Sequence, residues 1–359
     1  MFVIYNKKQK IFDNCFLEST VTGHKQNRKI FQGVFGLLLL FCASSVLSAE
    51  NVTPIYVANQ NPFTQIFGLP KAEPGTITAL HKFETGYSYY VSNNAIQDEL
   101  DNGESIIWDG ETARIEIKLR YGLLENLELG LDIPFVQHSG GFLDSIIRKT
   151  HKILGFPNDR QNQFEIDQIH YEINKNDKRL YESQERSKGL GDIRFSIATP
   201  IFSQSLHKNR HLALRASIKL PTGDYEYLLG SGGTDFTMGV AFSDYQSLRS
   251  INTVLTTSMG IIFMGDTKVL AELQSSNSFY SSIALNWSTS EKYALKLQLD
   301  FHSAFYSTEL AQLGTSLQLL MGASFFASQQ LIFDVGMTQN TQTDATTDVG
   351  FYFQARQLY

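Results

Sequence analysis

Charged side chains that recur at every second position of extended stretches are the residues in this sequence best placed to do chemistry. Arg114, Glu116, Lys118 and Arg120 share one face of a stretch whose other face is Ala113, Ile115, Ile117, Leu119 and Tyr121. In the next stretch Glu128 and Asp132 oppose Leu127, Leu129, Leu131, Ile133 and Phe135. Arg194, Arg215, Lys219, Lys296, Asp300 and His302 hold equivalent positions farther along. Such residues can line a polar pathway and select solutes by charge, or pair with one another and fill an interior. The pattern leaves both roles open for Arg114, Arg194, Arg215 and Lys219. For Arg120 it favours an ion pair with Glu128, the partner set by folding the two stretches as a hairpin about Leu124.

Catalytic, metal and cofactor chemistry finds little footing. His138, His151, His170 and His207 fall in loops or turns and His302 on an extended stretch, with no metal-ligand spacing among them. No nucleophile elbow or His-Ser cluster is visible. Gly230-Ser-Gly-Gly233 lacks the Lys and the following helix of a phosphate cradle. Cys15 and Cys42 both precede the expected export cleavage, so the mature chain is expected to hold no thiol. No catalytic residue, cofactor or metal is therefore expected.

The elements that must position these charges have period two from residue 76 onward, the mark of β-strands. Strands are expected at about 76–92, 111–121, 127–136, 191–202, 211–221, 235–243, 250–264, 276–288, 293–303, 315–326, 331–338 and 347–359. Three features favour a membrane barrel over a soluble sandwich. The strands have roughly the 9–11 residues that cross a bilayer at a tilt. Short connections (122–126, 203–210, 244–249, 289–292, 327–330) alternate with long ones (93–110, 137–190, 222–234, 265–275, 304–314, 339–346), as periplasmic turns alternate with extracellular loops. One face of nearly every strand is apolar, while the opposite face carries charges that a sandwich core could not hold. The expected fold class is thus all-β: a transmembrane antiparallel β-barrel of about 12 strands, closed because lipid cannot satisfy an open sheet edge. Tyr121, Trp287, Tyr293 and Tyr359 fall near the short turns, where an interfacial girdle belongs, although ordinary β-propensity also accounts for them.

Composition agrees. The 359 residues include 26 Gly, 16 Tyr and 26 Phe but only 8 Pro. Residues 1–49 read as an N-terminal extension and signal peptide. Lys25, Arg28 and Lys29 precede the apolar run 30–43, and the small residues of 44–49 allow cleavage after Ala49. A single anchoring helix is the alternative, but the run is shorter than the ~20 residues needed to span. Residues 1–49 carry six basic and two acidic residues, so the totals of 30 and 36 become 24 and 34, a net charge near −10. This argues against nucleic acid as a partner.

Residues 50–75, with Pro54, Pro62, Pro70 and Pro74, are expected to run along the periplasmic mouth, enter the lumen as a short plug, or serve as a linker. The barrel proper is 76–359. Its long extracellular insertion, 137–190, holds Phe142, Leu143, Ile146, Ile147, His151, Ile153 and Leu154 at helical spacing, followed by a charged, solvated stretch over 158–188. The final strand, 348–359, has the alternation and aromatic end of a signal for the barrel-insertion machinery, although Tyr359 stands where Phe or Trp is usual.

Several motifs resemble a family of proteobacterial outer-membrane proteins known as domain of unknown function 3187. They are Asn61-Pro-Phe, Ile66-Phe-Gly-Leu-Pro70, Arg120-Tyr-Gly-Leu, Glu128-Leu-Gly, Gly189-Leu-Gly-Asp-Ile193 and Lys219-Leu-Pro-Thr-Gly223, with Gly141-Phe-Leu-Asp, His151 and Gly155-Phe-Pro. The family pattern has Leu where Phe156 stands. The resemblance covers nearly the whole mature chain and extends more loosely to barrels of the phenol-degradation and fatty-acid transporter types. It implies a barrel in the outer membrane, in contact with its lipid, and gives no residue a function. The expected function is a channel or transporter for small molecules. The alternatives are a closed structural or surface-interaction barrel acting through 137–190, or an outer-membrane lipid enzyme.

Overall fold

A computed structural model describes residues 52–143, 145, 149, 167–176, 178–201, 209–340 and 345–359. The expected signal segment and most of the helix-spaced run 142–154 lie outside the described residues, as do most of the short connection 203–210 and residues 341–344.

Fifteen strands follow in chain order: β1 (Phe83–Glu99), β2 (Glu104–Leu124), β3 (Leu127–Ser139), β4 (His170–Lys175), β5 (Lys178–Ser183), β6 (Ser187–Leu190), β7 (Arg194–Pro200), β8 (Arg210–Lys219), β9 (Asp235–Asp244), β10 (Thr253–Phe263), β11 (Asn277–Ser288), β12 (Tyr293–His302), β13 (Ser316–Phe326), β14 (Leu331–Asn340) and β15 (Val349–Leu358). Twelve of them, β1–β3 and β7–β15, close an antiparallel barrel. The seam is sealed by β1 on β15, from Glu84 opposite Leu358 to Asn93 opposite Val349. No strand of the barrel is thereby left with an open edge, the condition a lipid solvent imposes.

The period-two pattern becomes two faces. Ile115, Phe195, Ile197, Met238, Met259, Ile283, Leu297, Val335 and Phe353 are exposed on the outer surface. Their strand neighbours Glu116, Arg194, Thr237, Gln298, Asp334 and Gln354 are buried inside. At the end with short turns, Tyr293 packs on Phe325 and Phe83 on Tyr359, with ring centroids 5.3 and 6.2 Å apart. These aromatics mark one rim of the apolar band.

Three expectations are corrected. Residues 76–82 are not part of β1; Thr76 and Thr78 reach Arg215 and Glu128 inside the barrel, and Leu80 forms an isolated bridge to Gly122. The connection 93–110 is not a long loop. β1 and β2 continue past the bilayer and meet in a tight turn, where Gly103 takes a φ of 80° that other residues resist. The charged stretch 158–188 is not all loop. β4 and β5 form a hairpin that extends the sheet beside β2, and β6 adds to β3. Tyr171 and Ile173 alternate there with His170, Glu172 and Asn174, a period-two signal masked by the local charge density.

The β2–β3 register also differs from the expected hairpin. Arg120 faces Gly130, Lys118 faces Asp132, and Gly122 faces Glu128, with a shift between Gly122 and Leu124. A turn of only two residues, with Leu124 opposite Leu127, moves the pairing by two positions.

Glycine pairs shape the inner wall. Gly322 and Gly336 face each other across β13 and β14, and a Cβ on either would meet Ile55 Cδ1 at 3.2 or 3.5 Å. Gly239 and Gly260 form a second pair, which accommodates the Tyr280 hydroxyl.

Leu299 sits near the middle of β12 on the outer face. Leu299→Arg is expected to destabilise the barrel by ~2–4 kcal/mol, the cost of a basic side chain at the bilayer midplane. Urea titration of the protein refolded in lipid vesicles measures it.

Candidate functional site

The lumen is occupied by the chain's own residues 52–80. Four prolines deny this segment a regular ladder, so it is held by side chains. It rises from Ile55, whose N–H donates to Gln298 Oε1 at 2.8 Å. It turns at Asn61-Pro62-Phe63, where Asn61 Oδ1 accepts from Phe63 N at 2.9 Å. This Asx turn uses Pro62 at the position where its fixed φ is favourable. The chain then descends to Thr78, whose N–H and hydroxyl both donate to Glu128 Oε2, at 2.6 and 2.8 Å. The apex packs under the extracellular strands and loops. Phe63 lies against Trp108, Tyr171 and Tyr181, and Phe67 stacks on Phe305 at 5.1 Å.

Below the apex lies an ionic centre. Arg120, 1% exposed, donates to Asp132 Oδ1 at 2.8 Å and to Glu73 Oε1 at 2.9 Å. Arg194 holds the other oxygen of Asp132. The Tyr56 hydroxyl donates to Asp132 Oδ2 at 2.9 Å and accepts from Arg120 at 2.5 Å and Arg194 at 3.0 Å. Arg215 bridges Glu73 and Glu128 at 2.9 and 3.0 Å and donates to the Pro74 and Thr76 carbonyls. Lys71 and Arg114 share Glu116 at 2.6 and 3.0 Å. Lys118 pairs with Glu84 at 2.9 Å and lies over the Tyr56 ring.

Two smaller clusters flank this centre. Lys219 joins Asp192 and Asp235 at 2.8 and 3.0 Å and donates to the Ile66 carbonyl. Asp192 also accepts from the backbone N–H groups of Gly223 and Ser231. Nearer the short turns Asp334 takes Lys296 and Arg356 at 2.6 and 3.0 Å.

All twelve residues singled out from sequence project inward, but not as the hairpin predicted. Arg120 pairs with Asp132 and Glu73, while Glu128 belongs to Arg215. His302 is a structural hydrogen-bonding group: Asn59 Nδ2 donates to its Nε2 at 2.8 Å, and its Nδ1 donates to the Ser303 carbonyl at 2.9 Å. Asp300 accepts from the Gln298 amide at 2.9 and 3.0 Å. Sequence reasoning missed Asp192, Asp235, Asp334 and Arg356, although parity alone places Asp235, Asp334 and Arg356 on the inner face. It also missed Tyr56, Lys71 and Glu73, which lie in a stretch with no periodic signal.

Cavities between the segment and the wall are small. One beside Lys71, Arg194 and Arg215 holds about 30 Å³, and one beside Asp300 about 20 Å³. Each has room for one or two waters, not for a solute.

Burial shifts the segment's own titrations. It pushes Lys71 down to about 8, with Glu116 opposing. It would raise Glu73, but Arg120 and Arg215 outweigh it and hold the carboxyl well below its ordinary value of 4.5.

A closed antiparallel barrel with an apolar outer band and a charged interior defines a bacterial outer-membrane β-barrel protein. Residues 30–356 match the family described as "Protein of unknown function (DUF3187)", and the chain belongs to it. The motifs read from sequence had pointed there. Among solved structures, the chain is similar to the COG4313 outer membrane channel from Pseudomonas putida F1. The two share 10% identity and a TM-score of 0.53, covering 80% of this chain and 100% of that one. It is more distantly similar to the toluene transporter TbuX of Ralstonia pickettii, at 9% identity and a TM-score of 0.37, covering 79% and 90%. These levels of identity describe the fold alone. No match is found among curated proteins.

Two outcomes follow. Arg120→Ala leaves Asp132 with Arg194 alone and Glu73 with Arg215 alone, and should cost ~3–5 kcal/mol in unfolding titrations, the penalty of breaking a buried ion-pair network. A depressed carboxyl stabilises docking fully above its ordinary value and loses that contribution as pH falls below it. Hydrogen exchange over 52–80 should therefore accelerate as pH drops from about 5 to 3, after correction for intrinsic exchange, and Glu73→Gln should flatten that dependence.

Proposed function

We propose that this protein is an outer-membrane channel for small molecules whose resting state is closed by residues 52–80 acting as an intramolecular plug. The observation that carries the reading is how the wall's cations are satisfied. Arg120, Arg215 and Lys219 each complete their coordination with plug groups: the Glu73 carboxylate, the Pro74 and Thr76 carbonyls, and the Ile66 carbonyl. A permanently filled barrel of this width could pair its charges from wall to wall. A filling supplied by a separate, proline-rich segment joined to the barrel at one end can be displaced as a unit. Displacement would leave a twelve-strand lumen lined by charged side chains of both signs, suited to passing small solutes. The Pseudomonas putida structure, itself described as an outer membrane channel, supports the same reading.

A second reading is a closed barrel that acts through 137–190. It is favoured by the hairpin β4–β5, which carries part of that insertion beyond the barrel.

Planar-bilayer recording separates the two. Mature protein should be largely silent, and a variant lacking 52–75 should conduct at least about tenfold more. No conductance and no solute uptake from either form, with folding verified, would remove the channel reading and leave the second.

A further inference from the structure

The outer wall changes character in one sector of its extracellular rim. Tyr89, Ile115, Phe135 and Leu190 form one register row across β1, β2, β3 and β6, and all four are exposed. Two residues farther out, ~7 Å along the strands, the row reads Val91, Ala113, Gln137 and Lys188. Apolar side chains give way to an amide and a cation in a single step, as acyl chains give way to headgroups. The opposite wall ends differently. At the extracellular ends of β9 to β12, Phe236 stacks on Phe263 at 6.4 Å and Phe279 lies 6.3 Å from Phe301, an ordinary aromatic girdle.

The start of the insertion 137–190 is clamped onto this sector. Gly141 takes a φ of 75°, and a Cβ there would fall on the Glu111 carboxyl, so glycine alone lets the chain come this close. Glu111 then accepts from the Leu143 N–H, and Leu143 clusters with Val91 and Ala113. The clamp holds Phe142, 54% exposed, at the edge of a cavity of about 250 Å³ lined by Tyr89, Ile115 and Phe135. A second cavity of about 500 Å³, lined by Arg186 and Lys188, shares Gln137, Ser139, Gly141 and Phe142 with the first, so the two form one cleft. One half of it is apolar and lies at the level of the lipid tails, and the other is basic. Asp167 is bound to a single guanidinium nitrogen of Arg186, at 2.9 Å. Among the described residues no carboxylate pairs with Lys188.

We infer that this cleft holds one phosphorylated lipid of the outer leaflet, with an acyl chain along Ile115 and Phe135 beside Phe142 and a phosphate at Lys188 and Arg186. The occupant follows from the two halves taken together. A free anion makes no use of the apolar half, and a neutral lipid makes no use of the cations. A phosphate joined to a hydrocarbon chain meets both at the depth where the wall itself changes from apolar to polar. Such a lipid also touches Phe142 and the wall at once, and so ties the root of the insertion to the barrel. The inference stands whether or not the barrel conducts.

Native mass spectrometry of the full mature protein, titrated in detergent with diphosphorylated lipid A, should show one lipid retained per chain in a saturable manner. Lipid A stripped of both phosphates should be retained at least about tenfold more weakly, and inorganic phosphate should not displace the intact lipid. Arg186→Ala combined with Lys188→Ala should weaken retention at least about tenfold. Phe142→Ala should weaken it less, and to the same extent for the phosphorylated and stripped forms. Folding of each variant is checked by heat-modifiable gel mobility. Lys178→Ala is the control, since Lys178 is an exposed cation of the β4–β5 hairpin that pairs with Glu272 and lies outside the cleft. It should leave retention unchanged. Absence of saturable retention, equal retention of the stripped lipid, displacement by inorganic phosphate, unchanged retention by the folded double variant, or an equal loss in Lys178→Ala would each overturn the assignment.

Discussion

Arg120 sets the terms for the interior. A guanidinium keeps its charge at any pH the protein meets, and inside a lipid-embedded tube with so little water it must be given partners. The wall offers it Asp132, and the segment before the first strand offers Glu73. Arg194 then completes Asp132, Arg215 completes Glu73, and the Tyr56 hydroxyl sits among three of these groups. Removing any one member leaves another exposed to the same penalty, so the lumen segment and the wall form a single electrostatic unit. That is why a stretch with four prolines and no ladder is nonetheless placed firmly.

The two faces of the barrel answer to different solvents. Outside, Phe, Ile, Leu, Met and Val meet acyl chains, and their shape matters little because lipid accommodates it. Inside, shape matters at the level of single methyl groups. The direct pair Gly322–Gly336 lets Ile55 approach the wall, and the pair Gly239–Gly260 leaves room for the Tyr280 hydroxyl. Charge complementarity gives the interior its strength, and glycine spacing gives it its fit.

Much of this was readable from the chain. Strict alternation around Ile115, Leu129, Ile283 and Leu297 fixed the number of barrel strands and their faces, because lipid on one side and polar groups on the other leave no other assignment. The tight β2–β3 turn was not readable. Gly122-Leu-Leu-Glu-Asn126 is compatible with several registers, and the bulge that selects one depends on tertiary packing. Nor was the ionic centre. Glu73 and Tyr56 join Arg120 across 47 and 64 residues of chain, and no local period reports a contact of that range. The family motifs carried hidden information. Gly189-Leu-Gly-Asp-Ile193 and Lys219-Leu-Pro-Thr-Gly223 look like turn punctuation, yet they exist to join Asp192 to Lys219, and both to the loop at Ser231.

The path of residues 52–80 has a topological consequence. The segment climbs from Ile55, reverses at Asn61-Pro62-Phe63 and returns to Thr78 beside Glu128, close to the turn that joins β2 and β3. Both arms point toward the same mouth. A chain folded back in this way can slip into a finished cylinder, or leave it, without a free end being threaded through the hoop of strands. Closure of the seam between β1 and β15 and filling of the bore can therefore occur in either order, and no knot constrains the nascent polypeptide as it matures.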